Sequence, residues 1–141
     1  MQRKASAKWN GGLKDGKGTI STGSGVLKDT QYGFTSRFES GAGTNPEELV
    51  AAAHAGCFTM ALSAQLENAG HKAESLATEA TVTFEKLDAG WTVTRSHLDV
   101  RARVPGIDNA KFQELAGKAE TGCPVSRLLN AKITMDAKLE G

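Results

Sequence analysis

Asn45 to Asn68 reads NPEELVAAAHAGCFTMALSAQLEN, the clearest single element that the chain encodes. Asn45 is a good N-cap, because its side-chain oxygen can accept from an orphan amide of the first turn. Pro46 follows at the first helical position, where its fixed φ suits the helix and its missing N–H is no loss. Glu48 stands three residues after the cap, the spacing of a capping box. These signals predict a helix from about Pro46 to Asn68 that stops at Gly70. Leu49 to Leu66 holds no Asp, Glu, Lys or Arg and is nearly long enough to cross a bilayer. It is built mostly of Ala, Gly, Ser, Thr and Cys, with His54 and Gln65 inside it. That composition predicts a helix buried in protein rather than one set in lipid.

On the N-terminal side, residues 3 to 38 read as short strands broken by turns at Gly11-Gly12, Asp15-Gly16 and Thr22-Gly23-Ser24-Gly25. Tyr32 to Phe38 reads as a further strand. On the C-terminal side, Ala80, Val82 and Phe84 alternate with Glu79, Thr81, Thr83 and Glu85, which predicts a half-buried strand. Asp88-Ala89-Gly90 predicts a hairpin turn. The returning strand changes phase between Val93 and Leu98, so a bulge is expected near Ser96-His97. Asp108 caps a second helix whose apolar stripe is Phe112, Leu115, Ala116 and Ala119. Gly122 ends it, Pro124 opens a short third helix with Cys123 as its cap, and Ile133, Met135 and Ala137 predict a last strand. Strands, helix, hairpin, helices and strand in that order make an α+β pattern.

A chain of 141 residues suggests one domain, residues 1–141, with enough buried surface to need no staples. Its formal net charge of +1 gives no electrostatic reason to expect nucleic acid or an anionic membrane as partner. Met1-Gln2-Arg3-Lys4-Ala5 is followed by no apolar run, so no signal peptide is read and a cytoplasmic location is expected. Thiols stay reduced there, and two cysteines then point to catalysis or metal binding more than to a structural disulfide.

Cys57, alone, reads as a small buried hydrophobe of a core helix. Cys123, at a helix start, has peptide dipoles that favour the thiolate. The two stand 66 positions apart (123 − 57) and form no Cys-x-x-Cys motif. One alternative is a zinc site built from His54, Cys57 and Cys123, which lacks a clear fourth ligand. Another is a binding module for an apolar ligand, with incidental cysteines. No Gly-x-Gly-x-x-Gly, P-loop, Gly-x-Ser-x-Gly or His-Glu-x-x-His occurs, so no nucleotide, flavin or serine-hydrolase site is expected and no cofactor is assigned.

Three stretches together resemble the OsmC/Ohr family of osmotically inducible and organic hydroperoxide resistance proteins. They are Tyr32 to Glu39 (YGFTSRFE), Gly43 to Phe58 (GTNPEELVAAAHAGCF) and Gly122 to Ser126 (GCPVS). The N-terminal strand region and the wording Ala52-Ala53-His54-Ala55 look like the OsmC branch. The resemblance implies antiparallel sheets around a long central helix, in an intertwined homodimer. It implies a peroxidase of organic hydroperoxides, with Cys57 as peroxidatic and Cys123 as resolving cysteine. Arg37 matches the family arginine, expected to lower the Cys57 pKa, and Glu47 matches the glutamate that would hold that arginine. Glu48 is left with the cap. A dithiol reductant, such as a lipoyl-bearing protein, is implied as the second substrate. Phe34, Phe38, Phe58 and Met60 are candidate apolar contacts for the peroxide. Finally, Glu47 and Cys57 are ten positions apart (57 − 47), roughly 15 Å along one helix axis. An antiparallel crossing of two copies near Ala52 would bring Glu47 of one level with Cys57 of the other.

Overall fold

The computed structural model describes residues 1–141. They form two compact units, Met1–Leu49 and Val50–Gly141.

In the first unit, β1 (Ala5–Asn10), β2 (Lys17–Thr22) and β3 (Thr30–Tyr32) make an antiparallel sheet in chain order. Trp9 and Tyr32 meet edge to face at 5.6 Å between ring centroids. Gly18 lies beneath them, and a Cβ there would come within 2.6 Å of both rings. The expected strand from Tyr32 to Phe38 is not formed. β3 stops at Tyr32 and a short helix, α1 (Phe34–Phe38), follows. The reason is local: the Gly33 amide donates to Ser36 Oγ at 2.9 Å, and Phe34 stacks on Phe38 one turn on, at 5.0 Å. Ser36 is the only buried side chain of this unit beyond Gly18, so the unit has no apolar core of its own.

The helix α2 runs from Pro46 to Asn68 as expected. Asn45 Oδ1 accepts from the Glu48 amide at 2.7 Å. The Glu48 carboxylate does not return to the Asn45 amide; it accepts from Thr44 Oγ1 at 2.8 Å. The far end closes with His71 N–H on Leu66 O and Gly70 N–H on Glu67 O, and Gly70 takes φ +87°. That pairing requires the left-handed backbone that glycine adopts freely. By length and hydropathy, α2 could cross a membrane. Only one face is buried, however: His54, Phe58, Leu62 and Leu66, spaced by four. The opposite face, with Ala52, Ala53, Gly56 and Met60, is exposed in the single chain, so the expectation of a buried helix holds for one face only.

In the second unit, β4 (Ser75–Leu87) and β5 (Gly90–Arg103) form the predicted hairpin. The bulge falls two to three residues before the expected place. Thr83 faces Arg95 and Phe84 faces Val93, leaving Thr94 as the extra residue. α3 (Asn109–Gly122) is capped by Asp108, whose carboxylate accepts from the Lys111 amide at 2.8 Å. α4 (Pro124–Leu128) follows directly, and β6 (Lys132–Leu139) then pairs with β5 in parallel. This sheet is therefore mixed, not antiparallel as expected. A two-helix crossover returns the chain to the same end of β5, which is how parallel neighbours are connected. Phe58, Leu62 and Leu66 pack with Leu98, Val100 and Ala102 of β5 and with Phe112, Leu115, Ala116 and Ala119 of α3. Each large side chain here contributes about 1.5–3 kcal/mol by its burial, which fixes α2 against the start of α4.

Candidate active site

Cys57 lies one turn after His54 on α2 and half-buried. Cys123 sits at the junction of α3 and α4, fully buried in the core. Its φ of −59° and ψ of 129° leave the helical region, while its amide still donates to Ala119 O at 3.0 Å. Pro124 then restarts the helix at its first position. Both cysteines are free thiols, and each is near enough to influence the ionisation of the other.

That influence is unequal. Burial pushes the Cys57 thiol up, and Cys123 pushes it further; the Val125 amide opposes this. The expected lowering of Cys57 is thus not found within one chain, and no cation is among the groups acting on it. Cys123 goes the other way. Its burial alone would raise it, but Cys57, the Ser126 amide and hydroxyl and the Val125 amide outweigh this and lower it. The sulfur makes no cap bond of ordinary geometry, yet these donors favour its charged form. The two thiols are thus shifted in opposite directions, Cys57 up and Cys123 down.

Behind the pair lies a polar network that sequence reasoning did not find. His54 is fully buried. Its Nδ1 is 2.6 Å from Ser96 Oγ and its Nε2 is 2.8 Å from Ser126 Oγ. Burial pushes its pKa down, which keeps the ring neutral. Both nitrogens are thus given to serines, and no group of three ligating side chains forms, so the zinc arrangement of His54, Cys57 and Cys123 is not built. The signal was in the Gly122–Ser126 stretch: the serine three after the cysteine is the residue that meets the histidine.

In the first unit, Arg37 and Glu47 meet as expected. Arg37 donates from Nη2 at 2.8 Å and from Nε at 3.0 Å, both to Glu47 Oε1, with the second carboxylate oxygen 3.4 Å from Nε. The fork therefore grips Oε1 through both nitrogens and reaches Oε2 through Nε alone. The guanidinium also lies over the Phe38 ring, 5.3 Å from its centroid. Beside it is a cavity of about 300 Å³ lined by Trp9, Leu13, Tyr32, Phe34, Arg37 and Phe38. Phe34 and Phe38 are among the expected apolar contacts. Phe58 is not free for such a role, being fully buried in the core, and Met60 is 78% exposed. Trp9, Leu13 and Tyr32 had not been read as lining residues, because they are far from the cysteines in the chain.

A small α+β fold with two free thiols that influence each other's ionisation places the chain in the class of two-cysteine thiol proteins. Comparison with known proteins narrows this. Residues 39–138 match the family model described as OsmC-like protein. The chain is 50% identical over 140 residues to the peroxiredoxin OsmC of Escherichia coli K12, covering 99% of this chain and 98% of that one. It is 32% identical over 100 residues to the organic hydroperoxide resistance protein of Xanthomonas axonopodis pv. citri, covering 70% and 68%. The solved structure of the organic hydroperoxide resistance protein OhrB of Bacillus subtilis aligns with a TM-score of 0.68 at 25% identity, covering 97% and 98%. The chain belongs to the OsmC family.

Proposed function

We propose that this chain is a thiol peroxidase that reduces organic hydroperoxides to alcohols through Cys57 and Cys123. The observation that carries the reading is the thiol pair itself: two free thiols that influence each other's ionisation, one half-buried, the other sealed in the core. Cys57 is half-buried and Cys123 fully buried, which supports Cys57 as the thiol that attacks. Its thiolate attacks the peroxide; an S–O bond forms, the O–O bond breaks, and the leaving alkoxide takes a proton to become the alcohol. Cys57 is left as sulfenic acid. Cys123 sulfur then displaces its hydroxyl as water and forms the disulfide. A dithiol, such as a lipoyl group on a partner protein, restores both thiols by exchange. No metal or cofactor is assigned a part.

Arg37 and Glu47 enter the same scheme as a pair on one chain serving the thiol of another. Cys57 lies raised by burial and needs a cation to favour its charged form. Glu47 stands ten residues before Cys57 on continuous α2 (57 − 47), roughly 15 Å away along the axis. A two-fold dimer in which α2 crosses its copy near Ala52 brings Arg37 and Glu47 of one chain to Cys57 of the other. The exposed small face of α2, with Ala52, Ala53 and Gly56, supports so close a crossing; a Cβ at Gly56 would meet nothing within 4 Å in the single chain. The coreless first unit and the exposed Met60 also gain cover from a partner. The aromatic cavity beside Arg37 is the berth of the peroxide's organic group. The 50% identity that spans 98% of the Escherichia coli relative supports one functional domain over residues 1–141, and free thiols suit a cytoplasmic setting.

The test is a thiol count on reduced protein before and after one equivalent of cumene hydroperoxide. Both thiols are expected to vanish together, with cumyl alcohol as product. Retention of both thiols would end the peroxidase reading.

A further inference from the structure

Three buried side chains join the elements that carry the two cysteines. His54 is fully buried on α2, and Cys57 stands one turn further along the same helix, packed against the core. Residues three apart share a helix face, so the two side chains leave α2 on the same side. Ser126 lies in the first turn of α4, the short helix that starts at Cys123. His54 Nε2 is 2.8 Å from Ser126 Oγ, and Nδ1 is 2.6 Å from Ser96 Oγ on β5. Both serines are buried, and no buried side-chain polar atom in the protein lacks a partner. One imidazole therefore ties α2 to α4 close to both cysteines and pins the pair of helices to the sheet.

Most of the surrounding core is apolar. Phe58, Leu62 and Leu66 of α2 pack with β5 and α3 through side chains that carry no polar atom. Such contacts follow buried area and have little direction, so they hold α2 down without fixing how far it slides or turns. Thr59 Oγ1 donates to Thr78 Oγ1 at 2.8 Å, but that bond leads to β4. The His54 bonds do fix the placement of α2 on α4, because a hydrogen bond restricts both distance and angle. Their net gain in stability is small, since an imidazole and two hydroxyls must first leave water. What the link supplies is position.

We infer that His54 is a positioning residue whose bond to Ser126 sets Cys57 against Cys123 for disulfide formation. The inference rests on the two-cysteine scheme proposed above. In that step the Cys123 sulfur attacks the Cys57 sulfur and an S–S bond forms. The S–O bond of the sulfenic acid breaks, and its hydroxyl leaves with the Cys123 thiol proton as water. The rate depends on how the two sulfurs are held, and a misplacement of about 1 Å can slow a positioned reaction on the order of a hundredfold. His54 acts on neither sulfur directly; it acts through the placement of α2 on α4, and Ser96 holds the ring from behind.

Two substitutions separate position from packing. His54→Gln carries an amide out to the place of Nε2 and keeps the bond to Ser126. His54→Asn ends near the place of Nδ1 and keeps the bond to Ser96 alone. Each loses one bond, so packing by itself predicts equal effects. His54→Asn should slow disulfide formation roughly ten- to a hundredfold, and His54→Gln should stay near wild type. Ser126→Ala should match His54→Asn, and the double variant should be no slower than either, as expected of two residues that act through one bond. Oxidation of Cys57 by the first equivalent of cumene hydroperoxide should be unchanged in all of them. Equal rates in the Asn and Gln variants, additive losses in the double variant, or equal slowing of the first oxidation would each overturn the inference.

A second readout needs no peroxide. Oxidised glutathione takes two electrons and two protons from the thiol pair, leaving the protein disulfide and two reduced glutathiones. That equilibrium reports the effective concentration of one thiol at the other. It should fall roughly tenfold or more in His54→Asn and in Ser126→Ala and hold in His54→Gln. A protein inert to peroxide that shows this pattern refutes the peroxidase reading and leaves His54 as the positioning residue. A peroxide-active protein without the pattern does the reverse.

Discussion

Cys57 and Cys123 are chemically alike, and their surroundings make them different. Cys57 is raised by burial first and then by Cys123, while Cys123 is lowered by Cys57 and the groups at the start of α4. Two predictions belong to this scale. Cys57→Ser should abolish peroxide reduction, whereas Cys123→Ser should stop turnover but still allow one oxidation of Cys57, seen by trapping the sulfenic acid in mass spectra. Wild-type turnover in Cys123→Ser with dithiol reductants would remove its resolving role. The second concerns His54. In the unfolded chain it titrates near 6.5, and burial depresses it in the folded protein. Below about pH 6.5 the unfolded state therefore binds more protons, and stability falls as the pH drops toward the folded-state value. The slope contributed by one such group is at most about 1.4 kcal/mol per pH unit. Urea unfolding at pH 7.5 and at pH 5.5 checks this: His54→Asn should lose less stability between the two than wild type does. Equal losses would show that His54 is not the acid-sensitive group.

At the scale of the element, α2 carries two residues of the proposed scheme. Its N-terminus carries Glu47 and its middle carries Cys57, so whatever starts the helix sets the phase of both. Asn45 does so by accepting from the Glu48 amide and donating from Nδ2 to Ser36 O at 3.0 Å. Asn45→Ala removes both bonds and should cost about 1 kcal/mol, as N-cap losses typically do. Thermal unfolding would register this as a lower Tm, and an unchanged Tm would mean that Pro46 alone starts the helix. Gly18 plays a comparable part in the first sheet. Adding its Cβ would press on both Trp9 and Tyr32, so Gly18→Ala should disturb the cavity beside Arg37, visible as a changed tryptophan spectrum.

At the scale of the whole molecule, the single chain leaves too much apolar surface uncovered: one face of α2, Met60 at 78% exposure, and a three-stranded sheet with no core. The proposed homodimer through α2 would cover such surface, and the prediction is direct. Met60→Glu should weaken or abolish the dimer in sedimentation and lower peroxidase activity with it, while helix content stays unchanged. Co-refolded Cys57→Ser and Glu47→Ala subunits provide the sharper check. In the mixed dimer one site carries both defects and the other neither, so activity should return. Inactive heterodimers of verified composition would sink the shared site.

The sequence by itself determined what depends on neighbours in the chain. The α2 cap at Asn45 and its stop at Gly70, the α3 stripe from Phe112 to Ala119, and the hairpin at Gly90 are all set by spacing and backbone preference over a few residues. The motif around Cys57 and the Gly122–Ser126 stretch were enough for the family. The short helix at Phe34–Phe38 was misread as strand because a tight aromatic turn and a strand look alike over five residues. What only the tertiary structure decided were relations across long separations. The parallel β6 depends on where a two-helix crossover returns. The bulge at Thr94 depends on which residues of β4 lie opposite. The link from Ser96 to His54 to Ser126 joins residues from β5, α2 and α4. The opposite shifts of the two cysteines follow from burial first and from the groups around each sulfur, and no local pattern records that.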